Sequence, residues 1–246
     1  MTPRWIIPDW PAPARVRAAS TERVDGVSQG PYAGFNLGAH VGDEAAHVAR
    51  NRNVLKAALG LAREPHWLEQ VHGAIVLDLD RNRPVTEPAD GAVTSLVDEP
   101  CVVLTADCLP VLLCGRSGER VGVAHAGWRG LVRGVLPAAV ACMGGPAENL
   151  LAWLGPAIGP AAYEVDETVR SAFLSGDSGA AGCFEPNGRG RFQADLYGLA
   201  RRSLHAAGVE AIYGGGSCTF REAQRFFSHR REAPCGRMAT VIWLTN

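Results

Sequence analysis

Three side chains in this 246-residue chain have the types needed to hold one divalent metal: His72, Cys108 and His125. Two His and one Cys form a catalytic zinc set that leaves a fourth position open for water or substrate. A zinc held in that way can polarise an oxygen. The same donors are the blue-copper set, which usually adds a distant Met. No H-x-H pair occurs in the chain, and the internal methionines, Met143 and Met238, offer no obvious axial ligand. A third chemistry needs no metal, with Cys108 as nucleophile and His125 as its base. The spacings are long and include no C-x-x-C or H-x-x-x-H pair. The residues alone therefore also allow a small buried thiol and two hydrogen-bonded structural imidazoles.

Acids and anion binders surround these residues. Asp107 precedes Cys108, and Asp90 sits in Ala89-Asp90-Gly91. Either could orient a ligand imidazole or act as a general base, and either could simply shape a turn. The Gly127–Gly130 turn opens a helical stretch, where free amides favour a phosphate, with Arg129 beside them. Phe226-Phe227-Ser228-His229-Arg230-Arg231 brings His229 and Arg230 together as a possible anion clamp. Asn36 and nearby His40 lie in a Gly-punctuated loop, and Arg52 lies in a predicted helix. Each could face a ligand or be an ordinary turn residue or solvated cation.

The elements that must position them follow from apolar runs. Cys101–Thr105, Val111–Cys114 and Val121–Ala124 read as buried strands, broken at Ala106-Asp107-Cys108 and at His125-Ala126-Gly127-Trp128. Trp67–Val71 reads as a short strand that delivers His72, and Ala74–Leu79 as a strand after it. Val16–Thr21, Leu150–Leu154, Ala211–Tyr213 and Met238–Leu244 are further strands. Helices are predicted from Asp43 to about Leu59, over Arg129–Met143 despite Pro137, over Asp166–Leu174 and over Ala194–Ala207.

Composition narrows the classes. The apolar share is 47% and the charged share 20%, as for a globular protein with a core. A net charge of −1 gives no case for nucleic-acid or membrane binding. The opening residues do not read as a signal peptide, since Pro8 and Asp9 cut the first apolar run short. Nothing approaches the ~20 apolar residues of a membrane span. Seven scattered cysteines without framework spacing point to reduced thiols and a cytoplasmic protein. No linker, repeat or low-complexity tract divides residues 1–246, so one domain is predicted. No G-x-G-x-x-G follows the first strand and no G-K-[ST] occurs, so neither dinucleotide nor P-loop binding is indicated. The pattern predicts an α/β (α+β) domain with a mixed β-sheet packed by helices.

Several words in this chain resemble the YfiH/DUF152 family, the polyphenol-oxidase or laccase-domain proteins linked to purine nucleoside phosphorolysis. They include Phe35-Asn36-Leu37-Gly38, Gln70-Val71-His72-Gly73, Thr105-Ala106-Asp107-Cys108, Ala124-His125-Ala126-Gly127-Trp128-Arg129, Tyr163-Glu164-Val165, Phe227-Ser228-His229-Arg230 and Gly236-Arg237-Met238-Ala239. They run in family order over almost the whole chain. One departure is Ala161-Ala162, where the family often has paired Cys. The resemblance implies a fold similar to the cytotoxic-necrotizing-factor catalytic domain, with zinc on His72, Cys108 and His125. It implies phosphorolysis of adenosine, inosine, guanosine or methylthioadenosine, with adenosine deamination as a further activity. Asp107, Cys108 and His229 are then the catalytic candidates, and Asn36, Arg52, Arg129 and Arg230 the candidates for holding nucleoside and phosphate. The other readings attached to the family are a copper-dependent polyphenol oxidase and a peptidoglycan-precursor editing factor; a Cys/His hydrolase stays open from the residues.

Overall fold

Every residue of Cys101–Thr105 is buried. Alternate strand residues face opposite ways, so this strand must be covered on both sides. The computed structural model describes residues 3–81 and 87–246. In it, Cys101 and Val103 enter one core while Val102 and Leu104 enter another.

The strands, in chain order, are β1 (Trp5–Ile6), β2 (Val16–Thr21), β3 (His66–Trp67), β4 (Val76–Asp78), β5 (Gly91–Thr94), β6 (Cys101–Thr105) and β7 (Leu109–Gly115). They continue as β8 (Val121–Ala126), β9 (Leu150–Leu154), β10 (Glu164–Val165), β11 (Phe184–Pro186), β12 (Phe192–Ala194), β13 (Ala211–Gly214) and β14 (Met238–Leu244). The helices are α1 (Ala45–Leu59), α2 (Trp128–Val132), α3 (Val135–Met143), α4 (Glu167–Leu174), α5 (Leu196–Ala206) and α6 (His229–Glu232).

Two mixed sheets stack face to face. One runs β1-β2-β14-β6-β3, with only β3 parallel to its neighbour. The other runs β13-β9-β7-β8-β5-β4, with parallel pairs at both edges and antiparallel pairing between. A small antiparallel sheet, β10-β12-β11, stands apart. Between the large sheets, Cys101, Val103 and Ile242 meet Leu112, Val123 and Leu151. Thr240 lies in the same buried strand β14, and its hydroxyl is satisfied by Ser20 Oγ at 2.8 Å. Leu55 of α1, with Phe35 and Leu37, covers Val102, Leu104 and Val241 on one outer face. Leu131, Leu136 and Ala139 of α2 and α3, with Leu199 and Leu204 of α5, cover Val111, Leu113 and Ala152 on the other. The result is an α/β/β/α stack, the mixed β-structure packed by helices that the sequence predicts, here divided between two facing sheets.

Three local departures from the sequence reading have physical causes. The helix predicted over Arg129–Met143 is two helices, broken at Gly134, which takes φ 85°. Pro137 then falls in the first turn of α3, where no intrahelical N–H bond is lost. The strand expected over Trp67–Val71 ends at Trp67. Beyond it the Gln70 amide replaces backbone pairing, accepting from Leu104 N at 2.7 Å and donating to Leu104 O at 2.9 Å. Finally, β8 runs on to Ala126, so His125 lies within a strand rather than past its end. No helix among the described residues is long and apolar enough to cross a membrane. All seven cysteines are free thiols.

Candidate metal centre and its pocket

His125 stands in β8 opposite Pro110 of β7. Cys108 belongs to the turn that joins β6 to β7, and His72 to the loop after β3. Two residues here take positive φ without being Gly, His72 at 57° and Asp107 at 93°. Such backbone is uncommon for L residues and persists only where surrounding contacts hold it. It brings the ligand atoms of His72, Cys108 and His125 within 4.8 Å of one another. Cys108 Sγ lies 3.8 Å from His72 Nε2. The two imidazoles meet edge to face, with centroids 4.8 Å apart. Gly127 packs against the cluster, where a Cβ would stand 2.8 Å from Cys108 Sγ and 3.2 Å from His72 Cδ2.

One buried carboxylate organises both histidines. Asp90 Oδ1 accepts from His125 Nδ1 at 2.7 Å and from His72 N at 2.9 Å. Oδ2 accepts from Gly73 N at 2.6 Å and Val71 N at 3.2 Å. The Asp90 carbonyl accepts from His125 N at 2.6 Å. Burial opposes ionisation of Asp90, but His125 and the amides of this loop hold its carboxyl below the usual range. The His125 Nδ1 proton is thereby fixed on the Asp90 side, which leaves Nε2 for the cluster. Burial would raise the Cys108 thiol, yet His125 and then His72 hold it below its ordinary value. Burial would lower His125, yet Cys108 and Asp90 raise it. A thiolate beside two imidazoles, one oriented by a carboxylate, is the donor chemistry that a borderline cation such as zinc takes. The residues therefore fit a metal.

The cluster opens on a cavity of about 460 Å³. Its lining includes Asp107, Trp128, Arg129, Tyr163, His229 and Arg230. Arg129 lies 4.5 Å over the Trp128 ring and Arg230 5.4 Å over the Tyr163 ring. Burial raises the Tyr163 phenol, so it stays protonated and can donate. Asp107 is fully engaged: Oδ1 accepts from Thr219 Oγ1 at 2.6 Å, Oδ2 from Arg230 N at 2.7 Å, and its carbonyl from Ile158 N at 2.9 Å. It pins the short helix α6 whose first residues are His229 and Arg230. Of the two acids weighed as orienting a ligand imidazole, Asp90 takes that place and Asp107 holds α6.

His40, Gln70 and Arg237 line the cavity as well. Asn36 does not line it. Asn36 is fully buried, accepting from Gly38 N and Arg237 N at 2.9 and 2.8 Å and donating to Asp43 Oδ2 at 2.8 Å. Arg52 stands behind the same wall, donating to Leu37 O from Nε and Nη2 at 3.0 and 2.9 Å, with its guanidinium 3.9 Å over Trp67. Tyr163, Trp128, Gln70 and Arg237 were not singled out as site residues from sequence. Each lies inside one of the family words, but nothing local to those words marks its side chain as facing a cavity.

Two packed mixed sheets that bring a two-histidine, one-cysteine cluster to the wall of a cavity describe an α/β protein with a candidate single-metal pocket. The chain belongs to the family described as multi-copper polyphenol oxidoreductase laccase, the laccase-domain or YfiH group, whose model matches residues 17–245. It is 51% identical over 241 residues to a purine nucleoside phosphorylase of Pseudomonas aeruginosa, covering 98% of both chains. It is 50% identical over 239 residues to the purine nucleoside phosphorylase YfiH of Escherichia coli, covering 97% of this chain and 98% of the other. Its fold superposes on the crystal structure of a Neisseria meningitidis protein of the same domain family with a TM-score of 0.94 and 46% identity, covering 98% and 99% of the two chains.

Proposed function

We propose that this protein is a purine nucleoside phosphorylase that depends on a metal, zinc, held by His72, Cys108 and His125. The observation that carries this is a metal-ligand cluster at the wall of a cavity that also presents aromatic faces and cations. Its support from outside is a chain half identical, end to end, to relatives named for that activity. A cavity of about 460 Å³ is in the range of small-molecule sites.

Phosphorolysis needs the nucleoside held, the departing purine protonated or hydrogen-bonded, and the attacking phosphate fixed. Trp128 and Tyr163 offer flat apolar faces for a purine, and Arg129 and Arg230 offer donors to its polar edge. His229 is exposed to the cavity and can hand a proton to the leaving base. Asp107 acts through its bond to Arg230 N, keeping His229 and Arg230 in place. Asn36 and Arg52 act in the same indirect way, through the wall they build. A metal on the three ligands supplies Lewis-acid polarisation of a substrate oxygen. Adenosine, inosine, guanosine and methylthioadenosine are the nucleosides to try. Adenosine deamination is the second activity, seen as inosine or hypoxanthine where adenine is expected.

A copper oxidase is the reading that the family's description favours. The internal methionines argue against it, since Met238 Sδ accepts from Phe227 N at 3.1 Å and Met143 is packed in the helix-side core. Copper loading of purified protein separates the two. A blue thiolate absorption with phenol oxidation would favour the oxidase, whereas base release that requires phosphate supports the phosphorylase.

A further inference from the structure

The arginines that line the cavity are held in different ways. Arg129 is exposed, and among the described residues its guanidinium lies over the Trp128 ring and makes no hydrogen bond. Arg230 donates to Glu164 O at 2.9 Å and lies over Tyr163. Arg237 is fastened at its backbone, along its stem and at one terminal nitrogen. Its N–H donates to Asn36 Oδ1 at 2.8 Å, and its carbonyl accepts from Leu37 N at 3.1 Å. Its stem runs over Gly38, where a Cβ would stand 2.8 Å from Arg237 Cγ. Its Nη1 donates to Cys235 O at 2.8 Å and Gly236 O at 3.0 Å. Among the described residues Nε and Nη2 make no hydrogen bond, and the side chain lines the cavity. His40 lines it beside Arg237. Partial burial, and then the charges of Arg237 and Arg52, hold the His40 imidazole below its ordinary value. Three cationic or potentially cationic groups therefore crowd one corner, with Arg52 fixed behind on Leu37 O.

Among the described residues no carboxylate hydrogen-bonds to His40, Arg52 or Arg237, and the Glu64 charge acts on Arg52 alone of the three and only through space. Like charges brought together repel, and their convergence is favourable chiefly when an anion joins them. A guanidinium already fixed at one nitrogen loses little freedom when its remaining donors bind a phosphate. Resting on the phosphorylase reading above, we infer that Arg237 and His40 seat the inorganic phosphate co-substrate, with Arg52 as the half-buried charge behind them. Arg129 and Arg230, standing with Trp128 and Tyr163, serve the nucleoside. This division gives the Phe35-Asn36-Leu37-Gly38 word its purpose: Asn36 holds the Arg237 backbone and Gly38 clears a path for its stem.

The test uses Arg237→Met, which keeps the stem over Gly38 and removes the charge, with His40→Asn and Arg129→Ala alongside. Base release is followed at varied phosphate and varied nucleoside. Arg237→Met should raise the phosphate concentration for half-saturation about tenfold or more and leave that for nucleoside within about twofold. An equal rise in both, or a phosphate-selective rise from Arg129→Ala alone, would overturn the seat. Thermal melting in phosphate against chloride of matched ionic strength reads binding without turnover. Stabilisation of the wild type that Arg237→Met abolishes supports the seat even if no nucleoside is cleaved, in which case the phosphorylase reading fails separately. No phosphate stabilisation of the wild type, or a stronger Arg237-dependent stabilisation by AMP, overturns it.

Discussion

At the scale of single residues, the centre depends on small and specific contacts. Gly127 has ordinary φ of −69°, so alanine there is acceptable to the backbone, and its Cβ meets Cys108 and His72 first. Gly127→Ala should weaken metal binding about tenfold or more while the protein stays folded, since overpacking costs about 1–3 kcal/mol at the contact. Metal titration by calorimetry checks this, and unchanged affinity would show that the cluster is not the metal site. Asp90→Asn removes a carboxylate that accepts four donors. It should lower metal affinity about 10–100-fold, as loss of a partner behind a ligand does, and lower the melting temperature as well. The three donors were legible in sequence because they sit in family words at one chemical theme. The contact between Asn36 and Arg237 was not, because they are 201 residues apart in sequence and only folding pairs them.

At the scale of elements, a turn residue and a glycine separate stability from chemistry. Gly134 sits at φ 85° with nothing within 4 Å of an added Cβ. Gly134→Ala therefore imposes backbone strain alone, about 1 kcal/mol. For a chain of this size that lowers Tm by about 2–4 °C, and metal content and base release should be unchanged. Asp80 ties the end of β4 to the end of β5 by accepting from Thr94 Oγ1 at 2.7 Å and from Ser95 N and Oγ at 3.1 and 2.5 Å. Desolvation opposes it, but Ser95, Thr94 and Arg120 hold its carboxyl below the usual range. A folded pKa lower than the unfolded one, about 3.9, contributes stability in full above that unfolded value. The contribution fades as pH falls through the folded pKa. Asp80→Asn should therefore unfold at lower urea than wild type at pH 7, with the gap closing as acid takes the pH down through the folded pKa of Asp80. A gap that persists in acid would assign the effect to packing. The elements themselves were largely legible from apolar runs, including β2, β6, β9, α4 and α5. The Gly134 break was not, because the apolar stripe continues across it, and the end of β3 was not, because a Gln side chain carries the pairing onward.

At the scale of the whole molecule, the two-sheet stack was less legible than its parts. Strands buried on both faces read as continuous apolar runs in one central sheet or in two stacked ones. What decides is long-range pairing, such as β2 with β14 from opposite ends of the chain. The fold brings the loop after β3, the β6–β7 turn and β8 together, so the three candidate ligands come from separate segments. Metal should therefore stabilise the fold as a whole. At a free concentration 1,000-fold above Kd the gain is about 4 kcal/mol, so protein stripped by chelator should melt lower and recover on adding zinc. An unchanged Tm would mean that the metal does not bridge these segments. The central claim is met most directly by purifying the protein without added metal, quantifying what it carries, and following base release from adenosine and inosine with and without phosphate. The account predicts one zinc per chain and release of free base only when phosphate is present. Stoichiometric zinc with no phosphate-dependent release, or release that continues in a metal-free Cys108→Ala variant, would contradict it.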